Sequence, residues 1–334
     1  MINIILYLIF IFFINYFIKK KQFIKSSTGS SHQTFANDSV PLSGGIYIFL
    51  PLIVLYLKDY PILLVAYISF FCLGFLSDLN ILQSPKKRFF LQLLILLFYV
   101  YTSKLEIAST RVEIVDFFFE NIFLSYIFTV FCLTVFINGS NFIDGLNSLL
   151  LVYFLLILFF LFKLELLNEI NLNSYKEITI LIVLIFLIIM NFSNQLFLGD
   201  NGSYSLSFLM GFFLINIYNY NQGITPYFII LLLWYPCFEN LFSIFRKFFS
   251  KKNPLEPDND HLHYRIYSFL IKKFNCSKLK SNNSASLLIN SFNLLIFYVA
   301  SLNIYHTSYQ LIVISCSVIF YLTIFFLLKR FILN

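Results

Sequence analysis

Charge is what this chain lacks most. Only 12% of its 334 residues are Asp, Glu, Lys or Arg, about half the share of a soluble domain. With 59% hydrophobic residues and a mean hydropathy of +0.83, an ordinary water-soluble globule is excluded. Glycine is also sparse, at 10 residues, and there is a single Trp. Alanine is scarce while Phe, Ile, Leu, Asn and Lys abound, a bias of AT-rich coding with little functional meaning. The five cysteines, Cys72, Cys132, Cys237, Cys276 and Cys316, form no Cys-x-x-Cys pair. That argues against a disulfide framework or a zinc site and for reduced, mostly packing thiols. The first apolar run, 2–18, has no basic stretch before it and no small-residue cleavage site after it. It is therefore expected to be a retained span and not a signal peptide.

Long apolar runs are what the chain has instead. About eleven are marked: 2–18, 44–57, 61–76, 89–103, 121–137, 148–163, 177–192, 204–219, 225–245, 286–305 and 309–328. They predict an all-α integral membrane protein of about eleven transmembrane helices, a single domain over 1–334. The linkers alternate in charge. Lys19, Lys20, Lys21, Lys25, Lys86, Lys87, Arg88, nine cations from Arg246 to Lys280, Lys329 and Arg330 fall on one side, eighteen of the 23. The positive-inside rule then puts the N-terminus outside and the C-terminus in the cytoplasm, as expected for a bacterial plasma membrane protein. Cytoplasmic loops are expected near 19–43, 77–88, 138–147, 193–203 and 246–285. Cations dispersed over membrane-adjacent loops argue against nucleic-acid binding.

Polar residues cluster at the cytoplasmic ends of these runs. The largest cluster is Asn138-Gly139-Ser140-Asn141-Phe142-Ile143-Asp144-Gly145-Leu146-Asn147. Asn-Gly and Asp-Gly are also ordinary turn dipeptides, so this stretch alone decides nothing. Two more acids sit at the same face. Asp78 ends the third run and Asp200 opens the eighth within Leu198-Gly199-Asp200-Asn201-Gly202-Ser203. An acid at a membrane edge is costly unless solvated, paired or metal-bound. Lys86, Lys87 and Arg88 serve either as topology anchors or as phosphate holders. The loop after the ninth run carries Asp258-Asn259-Asp260-His261-Leu262-His263-Tyr264-Arg265, either a solvated loop or a site for substrate phosphate. Pro236 is expected to kink or end the ninth run. The paired Gly44 and Gly45 allow a close approach or simply turn the chain into a helix. The last two runs show no polar cluster at their inner ends and are expected to serve as packing. Three carboxylates at one face with phosphate-binding groups suit Mg²⁺ and a nucleotide diphosphate.

These stretches resemble the motifs of the polyprenyl-phosphate N-acetylhexosamine-1-phosphate transferases, of glycosyltransferase family 4 type. The counterparts lie in order at 74–88, 138–146, 197–203 and 258–265, with Tyr235-Pro236-Cys237-Phe238-Glu239 similar to one branch. The resemblance implies transfer of a sugar-1-phosphate from a UDP-sugar to undecaprenyl phosphate, with release of UMP. The product would start a cell-envelope polysaccharide such as lipopolysaccharide or capsule. It implies Mg²⁺, with Mn²⁺ as an alternative, bound by Asp200, while Asp78 would help hold either the metal or the lipid phosphate. Asn141 and Asp144 would serve the nucleotide, and His261 and His263 the donor phosphates. Asn138, Asn147, Lys86, Lys87, Arg88 and Arg265 complete the expected substrate-binding set. A homodimer is an open option.

The chain departs from the family pattern at Ser77, Asn147, Ser148 and Tyr264. Ser77 stands where the family carries a proposed base. A phosphate monoester with a second pKa of about 6 is largely ionised at neutral pH, so that base is dispensable. Three alternatives remain: the relative that makes the first lipid intermediate of peptidoglycan, a catalytically inactive relative, and a transporter. The His-Tyr ending of the loop motif argues against the first. A transporter should carry charges near mid-span, whereas the acids here lie at one face.

Overall fold

The computed structural model describes residues 2–21, 40–167, 174–251 and 260–333. Most of the expected 19–43 loop and Asp258 of the loop motif lie outside the described residues. Among those described, the fold is all-helical with no strand. The order is α1 Ile2–Lys21, α2 Gly44–Leu55, α3 Pro61–Asp78, α4 Pro85–Ser103, α5 Glu113–Phe119, α6 Ile122–Ile143 and α7 Leu149–Lys163. It continues with α8 Ser174–Phe192, α9 Gly199–Tyr220, α10 Pro226–Phe249, α11 Leu262–Phe274, α12 Lys278–Ser301 and α13 Thr307–Leu333.

Each of the eleven apolar runs falls on one helix. The short helices α5 and α11 lie in linkers where the sequence marked none. Among the described residues, six helices are long and apolar enough to cross a membrane by length and composition: α1, α3, α6, α10, α12 and α13. Their outward faces keep large apolar side chains exposed, among them Phe10, Phe13 and Phe17 on α1 and Ile312, Ile319 and Phe326 on α13. Such faces belong in lipid and not in water, and the chain is a multi-pass membrane protein. Helices α2 and α7 are shorter.

Helix α9 is the axis of the bundle. It is buried at nearly every position from Gly199 to Gly211, although its first half is polar. Neighbours α2, α3 and α6 shield it, so its polar groups meet protein instead of lipid. Gly74 sets the closest approach, because a Cβ there would collide with the backbone at Asp200 and Asn201. This contact fixes the end of α3 against the start of α9 and brings Asp78 next to Asp200.

Gly44 and Gly45 make the close approach and not merely a turn. Their N–H groups donate to the carbonyls of Phe197 and Leu198, both at 2.9 Å, and Phe197 N–H donates to Pro41 O at 2.9 Å.

Pro236 does not end α10, which runs through it to Phe249. A proline inside a helix leaves the carbonyl four residues earlier without its donor. Here that carbonyl, Leu232 O, accepts from Tyr153 Oη at 2.9 Å. The same device recurs in α2, where Pro51 frees Tyr47 O and Tyr7 Oη donates to it at 2.6 Å. In lipid, where no water can replace the lost donor, such replacements are what let proline persist.

The last two long helices do more than pack. A buried row on α12, with Asn282, Ser286, Asn290 and Asn293 at spacings of four, four and three, faces inward. Asn293 accepts from Trp234 Nε1 at 3.0 Å, and Asn290 donates to Leu149 O at 3.2 Å.

Candidate active site

The chain path sets the site. Helices α3, α6 and α10 end at one face of the bundle, and α4, α7 and α9 begin there. The described polar clusters therefore meet at one end. Asp200 is at the centre, in the first turn of α9. Its Oδ2 accepts from Ser77 Oγ at 2.6 Å and from Arg88 Nη1 at 2.7 Å, and Arg88 Nη1 also reaches Ser77 Oγ at 2.6 Å. Its Oδ1 accepts from Asn141 Nδ2 at 2.8 Å. Asn141 also donates to Ser203 Oγ at 2.9 Å. The Asp200 side chain keeps 23% of its surface exposed.

Asp78 is placed otherwise. Oδ1 accepts Asp200 N–H at 2.9 Å, while Oδ2 accepts Asn201 N–H at 3.0 Å and the Asn201 side-chain amide at 2.5 Å. Those N–H groups open α9 and have no partner within the helix. Asp78 thus caps α9 from a different helix, and its negative charge suits that helix end. Both of its oxygens are engaged in this task.

Asp144 follows the last residue of α6 and is 5% exposed. Burial, and after it the carboxylates of Asp200 and Asp78, push its carboxyl well above the usual carboxylate range. The connector then continues to Ser148, which has a left-handed backbone. Asparagines fasten it. Asn147 N–H donates to Asn282 Oδ1 at 2.7 Å, and its side-chain amide reaches Asn194 Oδ1 at 2.7 Å and Asn283 Oδ1 at 2.9 Å. Asn191 Oδ1 accepts from Ser148 N–H and Oγ. Asn147, expected to bind substrate, sits 1% exposed in this amide cluster.

The histidine loop closes the other side. His261 lies against the Phe142 ring, with centroids 5.4 Å apart, and stacks on His263 at 5.4 Å. Gly145 lets the loop seat, since a Cβ there would stand 2.7 Å from Tyr264 Oη and 3.1 Å from His263 Nε2. His261 Nδ1 is 2.9 Å from Glu239 Oε1, on α10.

The remaining expected residues divide. Arg88 joins the centre, whereas Lys86 and Lys87, immediately before it in the same turn, stand exposed. Asn138 donates to Gln92 Oε1 at 3.0 Å and Thr134 O at 2.9 Å. Arg265 is turned toward α13: its guanidinium pairs with Asp260 and lies 4.1 Å over the Phe325 ring. Sequence reasoning left out Gln92, Asn201, Ser203, Glu239, Asn282, Asn283 and Tyr321 as members of this assembly. The Asn282–Ser286–Asn290 spacing was a usable signal for α12.

No group of three or more described His, Cys, Asp and Glu side chains is arranged to hold one metal ion. Mg²⁺ does not require such a set, since it takes one or two carboxylates and fills its shell with water and substrate phosphate. The local charge fits a divalent cation. Asp78, Asp144 and Asp200 are neighbouring carboxylates, and Arg88 pairs with Asp200. Asp200 is the partly exposed member, and Asp78 is committed to α9.

The family model described as Glycosyl transferase family 4 matches residues 60–218, which include Asp78, Asp144 and Asp200. The undecaprenyl-phosphate alpha-N-acetylglucosaminyl 1-phosphate transferase of Thermotoga maritima is 25% identical over 305 residues, covering 91% of this chain and 90% of that protein. The probable undecaprenyl-phosphate N-acetylglucosaminyl 1-phosphate transferase of Bacillus subtilis is 28% identical over 205 residues, covering 59% of this chain and 55% of that protein.

Proposed function

Because the chain belongs to glycosyl transferase family 4, we propose that it moves a sugar-1-phosphate from a UDP-sugar to undecaprenyl phosphate. An N-acetylhexosamine is the favoured sugar, in line with the names of both relatives. An oxygen of the lipid phosphate bonds to the phosphorus that carries the sugar. The bond from that phosphorus to the bridging oxygen breaks, and UMP leaves with the electron pair. The product is a lipid diphosphate sugar, fit to start an envelope polysaccharide.

The observation that carries this reading is the Asp200 centre: one partly exposed carboxylate at a helix N-terminus, beside an arginine and two further acids. Phosphoryl transfer asks mainly for alignment and charge neutralisation. Arg88 would hold phosphate oxygens, and the α9 N-terminus adds a positive field. Asp200 would hold Mg²⁺, which when bound neutralises charge on the diphosphate. Asn141 would orient Asp200, and His261 and His263 would contact the donor from the opposite wall.

One observation favours a second reading, a relative that binds lipid without turnover. Arg88 and Ser77 already occupy one oxygen of Asp200. The test is incubation of purified protein with undecaprenyl phosphate, Mg²⁺ and a panel of UDP-sugars, read as UMP release. Release with at least one UDP-N-acetylhexosamine supports transfer, and silence across the panel supports the binding relative.

The reading also places this face in the cytoplasm of a bacterial cell, where UDP-sugars are made. Cys276 is exposed just beyond α11. It should resist an impermeant thiol reagent in intact cells and react after permeabilisation. Rapid labelling of intact cells would overturn the orientation.

A further inference from the structure

Glu239 is a buried acid on α10, three residues after Pro236 and 1% exposed, and no step so far uses it. Such a group persists only when its oxygens are paired. Oε1 lies 2.9 Å from His261 Nδ1 and accepts Leu262 N–H at 3.3 Å. Oε2 accepts Tyr321 Oη at 2.7 Å. The three donors come from the histidine loop, the start of α11 and the last helix. Tyr321 is itself 1% exposed and packed against Trp234, Tyr235 and Phe238.

We infer that Glu239 is a positioning residue for the reaction: it holds the His261 ring on the site, and Tyr321 holds Glu239. Oε1 already accepts Leu262 N–H, so it is an acceptor here and the proton of the contacting ring nitrogen is assigned to Nδ1. That fixes the ring, through the partner on its other side, and reserves Nε2 for the substrate. The Phe142 and His263 rings flank the imidazole and leave it little freedom to rotate. A direct consequence is that α13 belongs to the catalytic assembly, although it contributes no residue to the acid cluster.

The inference rests on the transferase reading, and the experiment separates the two. Glu239→Gln is nearly isosteric and keeps an acceptor for Nδ1–H and for Leu262 N–H, so the fold should survive. Glu239→Ala removes the acceptor. Loss of a group that orients a histidine typically lowers activity about 10–100-fold. Glu239→Ala should lie in that range for UMP release, and Glu239→Gln should retain clearly more. In a His261→Ala background, Glu239→Ala should add less than about twofold, because residues acting as a unit are strongly non-additive. Losses that multiply, or full activity in Glu239→Ala, would overturn the inference. UDP affinity is measured with Mg²⁺ present on the wild type, Glu239→Ala, His261→Ala and the double variant. If the wild type releases no UMP, the transferase reading fails, and the same non-additivity in UDP affinity then decides the role of Glu239.

Discussion

Two arginines at opposite ends of the bundle show how one residue type can be consumed or held ready. Arg111 lies at the far end, where α9 stops and α10 and α13 begin. Its Nη2 donates to the carbonyls of Gln222, Gly223 and Ile224 at 2.9–3.0 Å, and its Nη1 to Tyr305 O and Thr307 Oγ1 at 3.2 Å. No carboxylate takes part in those contacts. Arg88 lies at the acid end, and its Nη1 is shared between Asp200 and Ser77. Its Nε is buried and has no hydrogen-bond partner among the described residues. A fork that is filled by main-chain carbonyls ties loops together. A fork with an unused donor beside a partly exposed acid can donate to phosphate oxygens.

The comparison is broken most severely at the acid. Asp200→Asn keeps the size and a hydrogen-bonding oxygen but removes the charge that pairs with Arg88 and that would hold the proposed divalent cation. Turnover should fall by about a thousandfold or more, since the metal contribution and the alignment of Arg88 are lost together. The protein should still reach the membrane, and UMP release at saturating Mg²⁺ is the measurement. Activity near wild type at limiting Mg²⁺ would refute the role.

Arg88→Ala comes next. Removing one donor to a developing negative charge costs about 10²–10³ in rate. The loss should appear in UMP release, and Arg88→Lys should recover only part of it because a point charge cannot fork. Equal activity of the Ala and Lys variants would show that Arg88, like Arg111, is structural.

Ser77→Asp has a smaller expected effect, about tenfold or less. General-base assistance is typically worth about 10²–10⁴, but a phosphate nucleophile is already ionised. Ser77 Oγ is the bridge between Arg88 and Asp200, so the new carboxylate would compete for Arg88 instead of deprotonating substrate. A silent wild type that Ser77→Asp awakens would mean that the chain is an enzyme that lost its base.

Much of this site is legible in the sequence, and the reason is the membrane. Where 59% of residues are hydrophobic, any polar group at the end of a run stands out, and Asp78, Asp144 and Asp200 did. Their division of labour is not legible. Asp78 is spent on N–H groups more than 120 residues away, brought near by the packing of α3 on α9, which is closest at Gly74. The prolines at 51 and 236 are visible, but the tyrosines that answer them, Tyr7 and Tyr153, are not, because nothing local links donor to carbonyl. The asparagines of α12 were overlooked for a related reason. They are diluted by Leu and Ile, so the row appears only when positions are counted around the helix. Helices α5 and α11 were missed because neither is a long apolar run.

Arg111→Ala should have the smallest effect on turnover and so sharpens the comparison. The residue holds a left-handed backbone and spans three connectors with a single guanidinium. The hydrogen bonds named for it all go to neutral acceptors, in two connectors and at the start of α13, and each is worth about 0.5–1.5 kcal/mol net. Losing the set should therefore lower thermal stability modestly, by about 1–3 kcal/mol, less than the sum because water replaces some partners. The acid cluster lies at the other ends of the same helices, and rigid α9 separates the two. UMP release per folded molecule should stay within about twofold. Arg111→Lys should recover little stability, since one ammonium cannot face three carbonyls and a second loop at once. The checks are a thermal unfolding midpoint in detergent and a turnover number on the same preparation. A large loss of turnover with an unchanged midpoint would reverse the contrast and make the far end part of the reaction.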